Sequence, residues 1–393
     1  MAYKINLDVN AVESPPIAES AQWVAGREFP PEKPLLDLAQ AVPRIPPPPA
    51  MREYLARMVR EDGVSGYTDI LGIPALRAAF AAHIAGEYQG EVTAAQVAIT
   101  TGCNQAFCLA VQAIGHPGDE VILPAPYYFN HFMWLKMLGL TPVLLPFQDD
   151  ANGIPSPEQA RALITPRTRA LVLVTPNNPT GAIYPPKVLD AFYALARDHQ
   201  LALILDETYK DFLDGEDSRH HLFQDAKWPE TLIQLYSFSK AYSLSGYRVG
   251  TLVADTRLLE QVAKLADCVT ICPPRIGQEA ALYGLRELAG WRRDNRDLMR
   301  GRGQALREAL TAHPSGFALV SLGAYFAYVR HPFPGHAARV VARHLADSQN
   351  VLTLPGSTFG PGQEAFLRLA FANLEGERMP ELARRLQQAT TPP

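Results

Sequence analysis

Short apolar runs alternate with amphipathic stretches through the middle of this chain. Ala170 to Val174 and Leu201 to Leu205 are almost unbroken in Val, Leu, Ile and Ala, and Val97-Ala98-Ile99-Thr100 is a shorter run of the same kind. Runs of this length without polar interruption predict strands buried on both faces, as in a parallel sheet. Between them, Pro185 to His199 carries helical spacing. From about Met51 to Ala280 the alternation predicts a mostly parallel sheet with helices on both sides, an α/β architecture. Trp291 to Ala312 reads as a long charged helix leading to an α+β remainder that contains the strand-like Ala324 to Val329. Phe366-Leu367-Arg368-Leu369-Ala370-Phe371 predicts a strand with one polar face. The first stretch is different: Pro15-Pro16, Pro30-Pro31 and Pro46 to Pro49 rule out one continuous helix. No internal repeat is visible.

Composition narrows the function classes. A chain of 393 residues, 47% hydrophobic and 19% charged, is long enough for two domains. The expected division is a large domain over 46–300 and a smaller one built from 1–45 and 301–393. A formal charge of -4 gives no field for nucleic acid. No apolar run reaches the roughly 18 residues that span a bilayer, and Met1 to Asn6 lacks the apolar core of a signal peptide, so a cytoplasmic location is the expectation. Cys103, Cys108, Cys268 and Cys272 match neither zinc spacing nor a secreted disulfide framework and read as free thiols. His220-His221 has no accompanying ligand cluster and reads as a loop feature, so no metal is expected.

The chemistry concentrates in Ser237-Phe238-Ser239-Lys240, followed by Arg248. A lysine lowered in pKa by burial or neighbouring cations condenses with an aldehyde, while flanking hydroxyls and a guanidinium suit a phosphate dianion. Pyridoxal phosphate carries both groups, and its enzymes pair the lysine with an acid for the ring nitrogen. Asp206, at the carboxyl end of the run from Leu201, supplies such an acid. The run from Ala170 to Thr175 ends in the turn Pro176 to Gly181, and Val97 to Thr100 leads through Thr101-Gly102-Cys103-Asn104 into a helix whose amino end suits an anion. Open α/β sheets bind ligands at such strand ends.

These landmarks, with others in order, resemble the class I/II aminotransferases of the aspartate aminotransferase superfamily, enzymes of pyridoxal phosphate fold type I. The resemblance runs from about Asp37 to Ala372. It rests also on Tyr67-Thr68 with Gly72 and Leu76-Arg77, His116-Pro117-Gly118-Asp119 before Pro126-Tyr127-Tyr128, Asn178-Pro179-Thr180-Gly181, Asp206 to Tyr209, and Pro355-Gly356-Ser357 with Phe359-Gly360 leading to Arg368-Leu369. It implies a mostly parallel, seven-stranded type of sheet with a smaller α+β domain.

Carried over residue by residue, the resemblance implies that Lys240 forms the Schiff base with pyridoxal phosphate and then moves the substrate α-proton. Asp206 would keep the ring nitrogen protonated. Tyr209 and Asn178 would hydrogen-bond the phenolic oxygen, and Tyr128 would stack on the ring rather than merely join the aromatic cluster of Tyr127, Phe129, Phe132 and Trp134. Ser237, Ser239, Arg248 and the Gly102-Cys103-Asn104 turn would hold the phosphate, with Tyr67 reaching in from a second subunit of a homodimer. Arg368 would clamp the substrate carboxylate rather than sit solvated on its strand. The implied reaction is ping-pong transfer of an amino group from an L-amino acid to a 2-oxo acid. A carbon-sulfur lyase stays open, because the same carbanion can lose a β substituent. A ligand-sensing regulator is a more distant alternative, since it needs a basic DNA-binding module where only the proline-rich arm stands. Two departures touch the substrate end. Ala41 stands where many relatives have glycine, and no arginine for a second substrate carboxylate is evident, with Arg275 and Glu279 both open as residues facing the site.

Overall fold

The computed structural model describes residues 3–150, 152–213, 215 and 219–392. Seven strands form the main sheet: β1 (Val97–Thr100), β2 (Glu120–Pro124), β3 (Thr141–Leu145), β4 (Thr168–Val174), β5 (Ala202–Asp206), β6 (Leu232–Ser237) and β7 (Gly250–Val253). Their spatial order is β1-β7-β6-β5-β4-β2-β3, and all run parallel except β7, which is antiparallel to both neighbours. The near-continuous apolar runs are explained by this placement. Leu203 and Leu205 of β5 enter one apolar cluster while Ile204 enters another, and Leu171 with Leu173 alternates against Ala170 with Val172 in the same way. Side chains of successive strand residues point to opposite faces, and here both faces are covered.

Four helices matter for the site: α1 (Pro74–Tyr88), α2 (Cys103–Ile114), α3 (Phe129–Met137) and α4 (Ala289–Ala312). The helix expected over 185–199 spans Pro186–Asp198, and α4 begins two residues ahead of the expected Trp291. Among its buried residues, Met299 lies in the cluster on the main sheet and Leu306 with Ala309 in a separate cluster. That separate cluster gathers Leu36 and Leu38 of the arm with Val329, Leu367 and Leu382. Here β8 (Ala318–Gly323), β9 (Phe326–Arg330), β10 (Leu354–Pro355) and β11 (Phe366–Leu369) form an antiparallel sheet in the order β10-β11-β9-β8.

The proline-rich arm is broken, as its prolines require, into the short helices Leu7–Asn10 and Pro16–Gln22 and a two-residue strand, Leu36–Asp37, paired in parallel with Val351–Leu352. The expected polar face of β11 is a correction: all four of its residues are buried, Arg368 included. The alternation that reads as half-solvated is instead a charged side chain turned inward. Among the described residues, no helix is long and apolar enough to cross a membrane.

Candidate active site

Because β1, β2, β4, β5 and β6 run the same way, their carboxyl ends share one edge of the sheet. The segments that follow them surround a cavity of about 460 Å³. Asp206 is the last residue of β5, Ser237 the last of β6, and Asn178 follows β4 in the turn. Lys240, Tyr209, Tyr128, Cys103, Asn104, Ser239, Arg248, Arg368 and Ala41 complete the candidates lining that cavity. Gly102 sits immediately before Cys103. Tyr67 is the outlier, 80% exposed on the surface of the chain.

Lys240 lies on the short helix Phe238–Ala241, whose start is capped by the Ser237 hydroxyl accepting the Ser239 N–H at 3.2 Å. Its Nζ donates to the Ala41 carbonyl. Burial, reinforced by Arg368 and Arg248, lowers its pKa to about 8. The main chain here is held from outside the motif: the Lys240 carbonyl accepts from the Tyr325 hydroxyl at 3.3 Å, and the Ala241 carbonyl from Asn295 of α4 at 3.4 Å.

Asp206 Oδ1 accepts the Thr208 N–H at 3.0 Å, and Oδ2 lies 3.3 Å from His131 Nε2. That ring nitrogen lacks the angle of a good hydrogen bond to any neighbour in the chain, so the contact is one of ion-pair distance. Burial pushes the carboxyl up, but His131 and Thr208 outweigh it and leave Asp206 below the ordinary carboxylate range. His131, on α3, is stacked on Phe107 at 3.9 Å and meets Tyr128 edge-on at 5.0 Å. Sequence reasoning missed it; its only signal was a position one turn into the helix that follows Tyr128. Tyr128 is fixed by its hydroxyl, which accepts from Asn130 at 2.9 Å and donates to Asn104 at 3.3 Å. Burial raises its pKa to about 12 and holds Tyr209 well above the usual phenol range, so both hydroxyls stay protonated.

At the opposite end is a cationic cradle. Gly102 has φ +81°, and a Cβ there would come within 2.4 Å of Arg248 Nη2. The close approach of guanidinium to main chain at the start of α2 therefore requires glycine. The buried hydroxyls of Ser237 and Ser239 share this end of the cavity. Gly102→Ala is expected to lower affinity for a phosphate-bearing cofactor by about tenfold or more, since it displaces a charge-assisted contact. Titration of the cofactor-free protein followed by absorbance checks this; unchanged affinity would remove the cradle assignment.

Arg368 sits mid-strand in β11. Nη1 donates to Asn178 Oδ1 at 2.9 Å and Nη2 to the Ala39 carbonyl, while the buried Nε has no partner in the chain. Burial lowers its pKa to about 10, and its plane is flanked by Phe326 at 4.9 Å and Phe359 at 5.1 Å. Arg275 and Glu279 pair with each other at 2.6 Å, Tyr54 donates to the same carboxylate at 3.2 Å, and neither lines the cavity. Cys103 does line it, with its thiol held protonated by burial.

Comparison with known proteins adds three findings. The family model described as aminotransferase class I and II matches residues 33–386. An aromatic aminotransferase, ISS1, of Arabidopsis thaliana is 31% identical over 363 residues, covering 90% of this chain and 89% of its own. An aspartate/prephenate aminotransferase of Thermus thermophilus is 32% identical over 347 residues, covering 87% of each. The solved structure of Thermus thermophilus aspartate aminotransferase with maleate superposes with a TM-score of 0.90 at 28% identity, covering 99% of this chain and 100% of that one.

Proposed function

The chain belongs to the class I and II aminotransferases and is a pyridoxal-phosphate-dependent transaminase; on that premise we propose how its own residues divide the work. The observation that carries the reading is a buried lysine of pKa about 8 in one cavity with a carboxylate, a cationic cradle and an arginine with an unpartnered Nε. That set fits the cofactor, which needs an amine for its aldehyde, an acid for its ring nitrogen and donors for its phosphate. When bound, pyridoxal phosphate supplies an electron sink that acidifies the α-proton of the attached amino acid. Everything else is done by the chain.

Lys240 would take and hold the α-proton at its Nζ, and a pKa of about 8 suits both taking and returning it near neutrality. Asp206, kept ionised by His131 and Thr208, would favour a protonated ring nitrogen. Tyr209 and the amide nitrogen of Asn178 would donate to the phenolic oxygen, and Tyr128 would pack against the ring. Ser237, Ser239, Arg248 and the amino end of α2 would hold the phosphate. Arg368, already aimed by Asn178 and the Ala39 carbonyl, offers its free Nε to the substrate carboxylate. Residues 46–300 carry the cofactor, and 1–45 with 301–393 form the smaller unit that brings Arg368 and the arm to it.

The amino donor lacks a side-chain carboxylate. The cations lining the cavity among the described residues are Lys240, Arg248 and Arg368, each occupied by the roles above, while Pro15, Ile17, Val42 and Phe129 offer an apolar wall. The test is the absorption spectrum of the holoenzyme before and after single amino acids, with no oxo acid present. Conversion to the amine form of the cofactor with aromatic or aliphatic donors, and not with aspartate, supports the reading. Conversion by aspartate at equal efficiency refutes the donor class, and release of ammonia or thiol without conversion would favour elimination, which the relatives' names do not.

The enzyme is a homodimer with shared sites. Tyr67 is 80% exposed, Val269 is 62% exposed, and the Thr68 N–H donates to Cys272 Sγ at 3.4 Å, so the two segments form one uncovered patch. A second copy seated there brings Tyr67 to its neighbour's phosphate. Light scattering is expected to give twice the chain mass, and Tyr67→Phe is expected to weaken cofactor binding several-fold without splitting the dimer. A fully active monomer would overturn this.

A further inference from the structure

The turn that carries Asp206 and Tyr209 has a second side. Asp206, Thr208 and Tyr209 face the cavity, whereas Glu207, Lys210 and Asp211 face away from it, into a buried cluster of charges. The Lys210 side chain is 1% exposed. Its Nζ donates to Glu87 of α1, lies 3.2 Å from His83 Nε2 and 3.9 Å from Asp211 Oδ1, and stands 5.0 Å over the Tyr236 ring. Asp211 in turn accepts from Arg292 of α4 at 2.8 Å and from the Tyr236 hydroxyl at 2.6 Å. Glu207 accepts from Tyr88 at 2.8 Å and from Gln234 at 2.6 Å, with His220 Nε2 at 3.3 Å. Arg219 completes the group, 3.3 Å from Glu87. Three cations, Lys210, Arg292 and Arg219, thus share two carboxylates, Glu87 and Asp211, with Glu207 beside them. His83, lowered to about 4 chiefly by burial, is a neutral acceptor between Lys210 and Arg292.

A buried ion cluster is weak evidence for net stability, because desolvation cancels much of the attraction; its better attested use is to fix one geometry. Here the geometry fixed is that of a turn held by its own backbone through Lys210 N–H to the Glu207 carbonyl and Phe212 N–H to the Tyr209 carbonyl, both at 3.0 Å, and Leu213 N–H to the Lys210 carbonyl at 3.3 Å, with Glu207 N–H tied to the Leu235 carbonyl of β6 at 2.9 Å. The side-chain ties run to α1, to α4 and to β6, the strand that ends in Ser237. The ammonium occupies the centre of a group, His83, Glu87 and Asp211, whose ligand atoms lie within 4.8 Å of one another. It acts as a built-in cation that draws α1 and the turn together.

We propose that Lys210 is a positioning residue for transamination: through Glu87 and Asp211 it holds the turn so that Asp206 and Tyr209 address the cofactor. This rests on the assignment of those two residues made above. The decisive variant is the double substitution Lys210→Met with Glu87→Gln, which removes the ammonium and one of its carboxylates together, leaves Asp211 paired with Arg292, and takes a carboxylate only from Arg219, whose side chain is 25% exposed and reaches solvent. The holoenzyme of this variant is expected to melt within a few degrees of the parent. Its kcat should fall between about tenfold and 100-fold at little-changed KM, the scale of a small misplacement of catalytic groups. The pH midpoint of the bound cofactor's absorption should rise, because Tyr209 no longer stabilises the phenolic anion. Glu87→Gln alone keeps the ammonium and its Asp211 partner and should move both readouts the same way by less. Parent-like kcat and midpoint in either folded variant overturn the inference. Tyr209→Phe, measured alongside, separates the two failures: if it leaves the midpoint unmoved, the assignment of Tyr209 to the cofactor has fallen rather than the role of Lys210.

Discussion

Lys240→Ala is expected to fold, to bind pyridoxal phosphate non-covalently, and to turn over every amino donor at least about 10⁴-fold more slowly than the parent. That is the upper range for loss of a positioned acid-base group. No other lining group can replace it. Asp206 is held ionised and committed to the ring nitrogen, Tyr209 and Tyr128 keep their protons, and Cys103 keeps its own. Measurable α-proton exchange at the parent's rate in the variant would sink the assignment. A companion result concerns stability. The folded pKa of Lys240 lies near 8 against an ordinary 10.5, so the cofactor-free protein carries a buried ammonium below pH 8 at a cost of roughly 3 kcal/mol. The unfolded chain binds more protons between those values, and stability therefore rises with pH across that window. Cofactor-free Lys240→Met should melt above the cofactor-free parent at pH 7, and the gap should close as pH climbs past 8. A constant gap from pH 7 to 10.5 would show that the lysine is not depressed in the fold.

Asp206→Asn is expected to lower the single-turnover rate on the order of 10²–10³-fold, the usual effect of removing one preorganised electrostatic partner. The neutral amide has nearly the same shape, so the fold and the cradle at the far end of the cavity stay as they were. What is lost is the negative charge that keeps the ring nitrogen protonated, and with it the capacity to spread the developing carbanion. A near-parent single-turnover rate would refute the role of Asp206.

Much of this site was legible in the chain because its parts are strand ends. A parallel strand buried on both faces is a near-continuous apolar run, and the first polar residue after it sits at the sheet's carboxyl edge; Asp206 is read off on that basis, whereas Ser237 is read from its place beside Ser239 and Lys240. Gly102 was legible as part of the turn between a strand and a helix whose amino end suits an anion, while its close approach to Arg248 emerges only in the fold. The rest depends on contacts far apart in sequence. His131 lies inside an ordinary-looking helix, and nothing in its neighbours signals Asp206 across the sheet edge. The Phe-Leu-Arg-Leu pattern of β11 gives a solvated arginine by periodicity, whereas the flanking rings of Phe326 and Phe359 and the distant Asn178 carry it inside. Lys210 carries no signal in its own neighbours, and its partners Glu87 and Arg292 are separated from it by more than a strand and a helix.

The two cations at the centre of the cavity lean on main-chain oxygens of the arm: Lys240 on Ala41 and Arg368 on Ala39. A carbonyl is present whatever residue occupies the position, so neither support can be erased by point mutation there. The side chains of the arm are thereby released from duty to the catalytic groups and left open to drift. Selection can rework the wall that meets the amino donor, through Pro15, Ile17 and Val42, in small steps that each leave a working enzyme, which makes this segment the natural place to begin redirecting its substrate preference in the laboratory.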